Sequence, residues 1–277
     1  MSESEINNDW RKVAAAIYKK PADGKIFGAA DLDVTELEEY ISRKRKEGLK
    51  ITLTHIFTLI VARGLVEIPE LNTYVRRGRI ILRKQVDAMV SVLVGEGEMS
   101  SVRVDNADQL TLEQLAEILS TGIKEARKGD ENKTMQMKGV IGRIPWPLRT
   151  WLFNLLKLIS IKWGIPIPRA GLSDRSFGSF VMTNIGSIGL DLGFPAMFPI
   201  SNVTFVFVLG GVYKKPVVVN DTIEIRRIMT ISSAMDHRTV DAIHGGKLFR
   251  YIKRMIKNPE ILESAPESKE GKESTDR

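Results

Sequence analysis

The chain contains no cysteine, and this absence excludes disulfide bonds, thiolate nucleophiles and thiolate metal sites. Histidine is almost as scarce, with only His55, His237 and His244. These three are too scattered in sequence to indicate a three-histidine zinc site, so we predict no metal. Residues 1–10 have neither the basic start nor the apolar run of a signal peptide, which predicts a cytoplasmic protein.

Acidic residues are missing from one long segment, residues 132–170. The basic residues of this segment are Lys133, Lys138, Arg143, Arg149, Lys157, Lys162 and Arg169. A nucleic-acid-binding protein more often spreads its basic face over the whole domain, with interleaved aromatic residues. Here the basic excess lies in one segment that also holds three of the four tryptophans. We therefore predict no nucleic-acid partner.

Helix-like and strand-like patterns together predict a single α/β domain over residues 1–262. Helices are predicted at 33–48, 54–69, 111–129 and 242–257, with capping boxes at Asp33/Glu36 and Thr111/Gln114. Strands are predicted at 78–94 (a hairpin or one long bent strand), 177–190, 203–219 and 222–235. The third strand segment is nearly all apolar, which indicates a central strand. Residues 263–277 are polar and predict a disordered tail.

His237 lies where the last predicted strand gives way to the final helix, a place where α/β folds often gather chemistry. Asp241, four residues later, could orient the imidazole or hold a nearby arginine. In the alternative interpretation, His237 caps local backbone and Asp241 is the N-cap of the last helix. The spacing alone leaves both open, because an isolated H-x-x-x-D pattern is common by chance.

The residues around His237 resemble a known signature. "MDHRTVDA" is similar to the D-H-R-x-x-D-G motif of dihydrolipoyl acyltransferases, the acyl-transferring cores of 2-oxo acid dehydrogenase complexes. "SFVMTNIGSIG" resembles that family's G-x-F-T-[IL]-S-N-[LI]-G segment. Chloramphenicol acetyltransferase shares the H-x-x-x-D pattern, and its W-x-R-K start resembles "DWRK" here. The resemblance covers about residues 9–131 and 171–262. It implies a chloramphenicol acetyltransferase-like two-layer sandwich, with a mixed β-sheet and helices on one side.

The resemblance also implies the chemistry of the site. His237 matches the general base that takes a proton from the thiol of coenzyme A or of a dihydrolipoyl group. Thr183 matches the hydroxyl that donates a hydrogen bond to the oxyanion. Asp241 matches an aspartate that pairs with an arginine near the N-terminus, here Arg11, in an architectural role. In the family the site lies between subunits of a homotrimer, and trimers can assemble into cages.

The sequence departs from the family in ways that affect function. Ala242 replaces a glycine, which costs about 1 kcal/mol only if that position needs a positive φ. The Ile-Pro-His that precedes the first strand in the family is absent. No lipoyl domain, Ala/Pro linker or peripheral-subunit-binding domain precedes the core, so we expect the lipoyl group to be supplied in trans by a lipoyl-carrying protein. Coenzyme A is then a substrate, and no metal is required.

Residues 132–170 form a basic amphipathic insertion where the family usually has a short loop. One helical stripe carries Leu148, Trp151, Leu152, Leu155, Leu156 and Ile159. The segment is too short and too charged to span a bilayer. It could cover the core, form a subunit contact, or lie on a membrane surface through residues 140–168. We favour packing or assembly, since most amphipathic helices pack on their own protein.

Three functional hypotheses follow. The first is an acyltransferase that moves acyl groups between coenzyme A and a lipoyl thiol carried by another protein. The second is the same base acting on a small alcohol, amine or lipid acceptor. The third is a non-catalytic trimeric scaffold or cage protein. Retention of the histidine, aspartate, arginine and hydroxyl positions together argues against the third. His55 lies in an apolar helical run, which is typical of a satisfied core or interface residue.

Overall fold

The computed structural model describes residues 24–94, 99–128, 142–168, 172–173, 176–199 and 201–266. Arg11 and residues 267–277 lie outside these ranges, so the predictions made for them remain predictions. Glu263 and Ser264, which the sequence analysis assigned to the polar tail, are held against the helices. The Tyr40 hydroxyl donates to Glu263 Oε1 at 2.8 Å, and the Arg63 guanidinium donates to the Ser264 carbonyl at 2.7 Å.

A six-stranded mixed sheet forms one layer of the protein, in the order β1-β8-β7-β6-β4-β5. Its strands are β1 (Lys25–Asp33), β4 (Ala88–Leu93), β5 (Met99–Val104), β6 (Phe180–Asn184), β7 (Phe205–Val219) and β8 (Thr222–Asp236). The β4–β6 and β6–β7 pairs are parallel, and the remaining pairs are antiparallel. The nearly apolar β7 is an interior strand, as its sequence predicted.

Two further strands form a separate hairpin, β2 (Thr73–Arg76) and β3 (Arg79–Leu82). The prediction that 78–94 forms one hairpin or one bent strand is therefore wrong, because β3 pairs with β2 whereas β4 pairs with β5 and β6. The reason is the two-residue turn at Arg77 and Gly78, whose φ angles are 52° and 74°. Two successive positive φ values are typical of the tight hairpin turn whose twist matches that of its strands.

Helices cover one face of the sheet. They are α1 (Thr35–Lys46), α2 (Leu53–Glu67), α3 (Leu112–Arg127) and α5 (Ala242–Met255). α2 is central, with every residue from 56 to 65 buried, because its apolar residues surround the helix. Phe180, Phe205 and Met235 lie in register across β6, β7 and β8 and belong to the core that these helices cover. The predicted α/β architecture, with a mixed sheet and helices on one side, is confirmed.

Only one of the two predicted capping boxes forms. At the start of α3, Gln114 N–H donates to Thr111 Oγ1 at 3.2 Å and Thr111 N–H donates to Gln114 Oε1 at 2.9 Å. At the start of α1, Asp33 instead accepts from the backbone N–H of Thr35 at 3.0 Å. Glu36 lies 3.5 Å from the Arg226 guanidinium, so a cross-element ion pair is formed in place of the second half of the box.

The insertion contains α4 (Leu148–Lys157), which continues as a π-helical turn over Leu158–Lys162. Its buried residues are Phe153, Ser160 and Ile161, whereas Leu148 and Trp151 are 58% and 64% exposed. Of the six stripe residues named in the sequence analysis, Leu148 and Trp151 are thus exposed and the other four are partly buried, so the expectation of packing or assembly stays a prediction. Phe153 gives the helix a second apolar side, so helical periodicity alone could not select the face that packs. No helix among the described residues has the length and apolar character needed to cross a bilayer.

A glycine pair positions the loop that follows β6. β7 has a bulge between Leu209 and Val212, and the Gly211 N–H donates to the Leu190 carbonyl at 3.0 Å. A Cβ at Gly210 would lie 1.9 Å from the Asp191 carbonyl oxygen, so the backbone of the loop approaches too closely for any side chain.

We therefore predict that Gly210→Ala lowers the free energy of unfolding by about 1–3 kcal/mol, because the loop must move away from β7. Gly246→Ala is the matched control. A Cβ at Gly246, which lies inside α5, would meet only the flexible end of the Arg250 side chain, 3.7 Å away. That change should leave stability equal or raise it by up to about 1 kcal/mol. Urea unfolding of the two variants measures both, and equal stabilities would contradict the close approach.

Candidate active site

His237 directly follows the end of β8, at the edge of the sheet where β1 begins. Its backbone N–H donates to the Gly24 carbonyl at 3.0 Å, and the preceding Asp236 N–H donates to the Thr204 carbonyl at 2.8 Å. Arg238 closes the turn with an ion pair to Asp236, 2.5 Å from Nη2 to Oδ2. Hydrogen bonds to two other chain segments, at Gly24 and Thr204, and an ion pair within the turn therefore fix the backbone that carries the imidazole.

The imidazole of His237 is oriented through its Nδ1 atom, which lies 2.9 Å from the Val240 carbonyl oxygen. A carbonyl oxygen can only accept, so Nδ1 is the donor in this contact, and the neutral form of the ring then carries its lone pair on Nε2. The Asp241 carboxylate lies 3.3 Å from the same Nδ1. The side chain is 47% exposed, so a substrate can reach Nε2.

Asp241 combines the two roles that the spacing left open. It is the N-cap residue of α5, and its carboxylate also lies against the His237 ring. Its backbone N–H donates to His244 Nδ1 at 3.0 Å, which directs His244 into the helix start. Ala242 is the first residue of α5 and has no positive φ, so the alanine in place of the family's glycine costs almost nothing here.

Thr183 lies near the end of β6, on the sheet face that points away from the helices. Its neighbour Met182 is fully buried in the helix-side core, and successive strand residues point to opposite faces. Asn184, on the helix side, donates to Thr54 Oγ1 at 3.1 Å. The Thr183 hydroxyl makes no hydrogen bond to another residue that the structure describes, which leaves it able to donate to a substrate oxygen.

The fold separates Thr183 from His237 within one chain. Thr183 is in register with Val208, which is in register with Ser232, five residues before His237. Five residues at roughly 3.3 Å and two strand spacings of roughly 4.8 Å put the two Cα atoms about 19 Å apart. Because β8 runs antiparallel to β6 and β7, His237 lies beyond the end of the sheet at which β6 begins, whereas Thr183 lies near the end of β6.

Sequence reasoning missed the backbone part of this site. The Val240 carbonyl fixes the tautomer of His237, and the Gly24 carbonyl anchors its N–H. Neither has a side-chain signal, so only the three-dimensional fold could identify them. Arg11, the expected partner of Asp241, lies outside the described residues. Within those residues, no group of three or more histidine or acidic side chains could hold a metal ion.

His55 is a structural residue of the first turn of α2. Its Nδ1 lies 2.7 Å from the Thr52 hydroxyl and accepts from the Thr52 N–H at 3.3 Å. Burial and, to a smaller extent, the nearby positive charge of Arg45 together lower the pKa of His55 from 6.5 to about 4. The satisfied role expected from the sequence fits this geometry.

The lowered pKa of His55 predicts a pH-dependent stability. Between pH 6.5 and about 4 the unfolded chain binds a proton that the folded one does not. The free energy of unfolding is therefore unaffected above pH 6.5 and falls on acidification by up to about 1.4 kcal/mol per pH unit. His55→Gln keeps a capping side chain without the titrating group. Urea unfolding at pH 7 and pH 5 should show a smaller loss in the variant, and an equal loss would contradict the assignment.

The model of one protein family matches most of the chain. The family is described as 2-oxoacid dehydrogenases acyltransferase (catalytic domain), and the match covers residues 25–141 and 169–263. The unmatched residues between these ranges contain α4 and its π-helical turn.

Curated relatives are similar over most of this chain. The acetyltransferase component of the acetoin cleaving system of Bacillus subtilis is 24% identical over 83% of this chain and 48% of its own length. The acetyltransferase component of the pyruvate dehydrogenase complex of Rickettsia bellii is 26% identical over 77% of this chain and 41% of its own. The chain thus spans about half the length of the curated relatives it matches.

Solved structures share the fold at low sequence identity. The cubic core of a pyruvate dehydrogenase multienzyme complex has a TM-score of 0.65 at 16% identity, covering 93% of this chain and 90% of its own. A probable dihydrolipoamide acetyltransferase from Listeria monocytogenes has a TM-score of 0.63 at 19% identity, covering 92% and 99%. A chloramphenicol acetyltransferase has a TM-score of 0.51 at 12% identity, covering 90% and 95%.

Proposed function

Because the chain belongs to the family of 2-oxoacid dehydrogenase acyltransferase catalytic domains, we propose that it transfers an acyl group between coenzyme A and a thiol acceptor. The acceptor in this proposal is a lipoyl group carried by another protein. The observation that carries the proposal is the geometry of His237, whose Nδ1 bonds the Val240 carbonyl and leaves an accessible Nε2 lone pair.

The proposed chemistry needs only a base and a hydrogen-bond donor. A thiol with a pKa near ~8.5 is only a few per cent ionised at neutral pH. His237 Nε2 takes the thiol proton as the sulfur attacks the carbonyl carbon of the thioester. The Thr183 hydroxyl donates a hydrogen bond to the carbonyl oxygen as its negative charge develops. The carbon–sulfur bond to the leaving thiolate then breaks, and the imidazolium returns its proton to that sulfur.

Asp241 assists without touching the substrate. When the ring becomes an imidazolium, the carboxylate 3.3 Å from Nδ1 faces a positive charge that it stabilises. The Val240 carbonyl holds the ring in place throughout. The proposal includes a pairing of Asp241 with Arg11, which stabilises the turn that carries His237.

The separation of Thr183 from His237 supports a site shared by two subunits. One chain cannot place both side chains on one thioester, because they lie about 19 Å apart. A homotrimer solves this problem if His237 of one subunit faces Thr183 of the next around a threefold axis. Assembly of such trimers into a cage is a further part of the proposal.

Loss of the proposed base should stop turnover and leave the fold intact. His237→Ala should lower acyl transfer from acetyl-coenzyme A to dihydrolipoamide by roughly a hundred- to ten-thousandfold. Thr183→Ala should lower it by about a hundredfold, as for the loss of one oxyanion donor. Steady-state rates together with light scattering measure both. Near-normal transfer by His237→Ala to every thiol and hydroxyl acceptor tried would remove the acyltransferase proposal.

Mixed oligomers test where the two residues meet. Co-expression of His237→Ala chains with Thr183→Ala chains should restore activity, because some interfaces then combine an intact His237 with an intact Thr183. With random assembly, about a quarter of the sites are intact, although neither parent is active.

The matched control mixes unchanged chains with chains that carry both substitutions. A shared site then retains about a quarter of full activity, whereas a site within one chain retains about a half. Mixed single variants that stay as inactive as their parents would contradict the shared site, provided that co-purification through an affinity tag on one variant shows mixed oligomers.

A further inference from the structure

Apolar side chains lie exposed along the insertion. Those that are about half exposed or more are Trp146, Leu148, Trp151, Trp163 and Ile165, which we name the insertion surface. Three of the four tryptophans of the chain thus lie in solvent in this one segment. Tryptophan is costly to expose in such a cluster, so the surface has the character of a contact site.

The periodicity of α4 shows that part of this surface faces away from the protein. Phe153 is buried and marks the inward side of the helix. At about 100° per residue, Leu148 and Trp151 lie within roughly 40° of the opposite side, and Leu155 lies there too. The outward stripe is therefore apolar at i, i+3 and i+7.

The end of the insertion meets the β2–β3 hairpin and forms a basic cleft there. The Arg77 N–H donates to the Lys162 carbonyl at 3.2 Å, which ties the two segments together. The cleft between them has a volume of about 700 Å³. Its lining residues, which include no carboxylate, are Arg76, Arg77, Arg79 and Ile81 of the hairpin and Trp163, Gly164, Ile165 and Pro166 of the insertion.

Gly164 shapes this cleft. Its φ is +71°, and a Cβ there would lie 2.5 Å from Cδ of Arg76. The glycine therefore lets the arginine stem lie against the insertion backbone, beside the indole of Trp163. The result is a cluster of guanidinium groups next to exposed apolar side chains.

The excess of positive charge around this surface favours one class of partner. The sequence has no acidic residue in 132–170, and none in 71–86 around the hairpin. Arg77 and Arg79 at the hairpin turn are exposed. Arginine binds phosphate oxygens through paired N–H donors, and tryptophan is enriched where a membrane meets water. Anionic phospholipid headgroups above an apolar layer match both features.

We propose that the insertion surface and the arginine cleft dock this protein on anionic phospholipid membranes. The cleft takes headgroup phosphates, and the outward stripe of α4 lies in the boundary between headgroups and acyl chains. The helical stretch 148–162 is about 22 Å long, shorter than the ~30 Å hydrocarbon core, so it lies in the interface and does not cross.

A second copy of the chain fits this surface less well. A symmetric contact would bring the exposed Arg77 and Arg79 of two copies together at a cleft whose lining contains no carboxylate. The family match also leaves 142–168 outside, so the shared catalytic domain does not depend on this segment. The membrane proposal is independent of the proposed acyltransferase activity.

Vesicle binding tests the proposal on the full-length protein. Binding to vesicles of 30% phosphatidylglycerol in phosphatidylcholine should be at least tenfold tighter than to pure phosphatidylcholine, and should weaken at high salt. Tryptophan emission should shift to the blue on binding, because three of the four indoles enter the interface. Arg77→Gln with Arg79→Gln should weaken binding by roughly thirtyfold. Trp151→Ser with Leu148→Ser should also weaken it at least tenfold.

Matched substitutions elsewhere separate the proposal from general charge effects. Lys253→Gln with Lys257→Gln removes two exposed basic residues from the last helix and its C-terminal end, and should leave binding unchanged. Equal loss in this control, or no binding to anionic vesicles at low salt, overturns the proposal. A change in oligomer mass in the Trp151→Ser, Leu148→Ser variant also overturns it, since the stripe would then be a subunit contact. Free phosphate at millimolar concentration could instead protect the arginines of the cleft from chemical modification while the protein binds no vesicles. That result would make the cleft a phosphate site and contradict membrane docking.

Discussion

The antiparallel pairing of β7 with β8 is the constraint on which the candidate site depends. It runs from Phe205 opposite Met235 to Val219 opposite Thr222, across two fifteen-residue strands joined by a tight turn. Since β6 is parallel to β7, this pairing puts His237 beyond the end of the sheet at which β6 begins, whereas Thr183 lies near the end of β6. Thr183 and His237 therefore cannot meet within one chain, and a shared site between subunits becomes the arrangement that uses both.

Backbone atoms hold the His237 ring in place and make Nδ1 its hydrogen-bond donor. Val240 accepts from Nδ1, Gly24 accepts from the main-chain N–H, and Asp241 begins α5 while its carboxylate faces the ring. The turn between β8 and α5 thus both begins a helix and supports the proposed base. Asp241 therefore fits both interpretations that the sequence left open, since it is the N-cap of α5 and also lies beside the His237 ring.

Long regular elements were predictable because their signals are local. The continuous apolar run of β7 and the apolar helix α2 follow from composition and periodicity. The β2–β3 hairpin was missed because its Arg-Gly turn lacks the asparagine or aspartate that usually precedes glycine there. Helical periodicity alone could not show which side of α4 is buried, because Phe153 gives that helix a second apolar side. At the candidate site, His237, Asp241 and Thr183 were proposed from motifs, whereas the carbonyls of Val240 and Gly24 have no signal in the sequence.

A density map of the assembled particle with a coenzyme A thioester bound would show whether the site is shared between subunits. We expect His237 Nε2 of one subunit and the Thr183 hydroxyl of its neighbour to face the same thioester, on the sulfur side and the carbonyl-oxygen side. We also expect the two residues of any single chain to contact different thioesters, as a shared site requires. A thioester held by His237 and Thr183 of one chain, or bound far from His237, would contradict it.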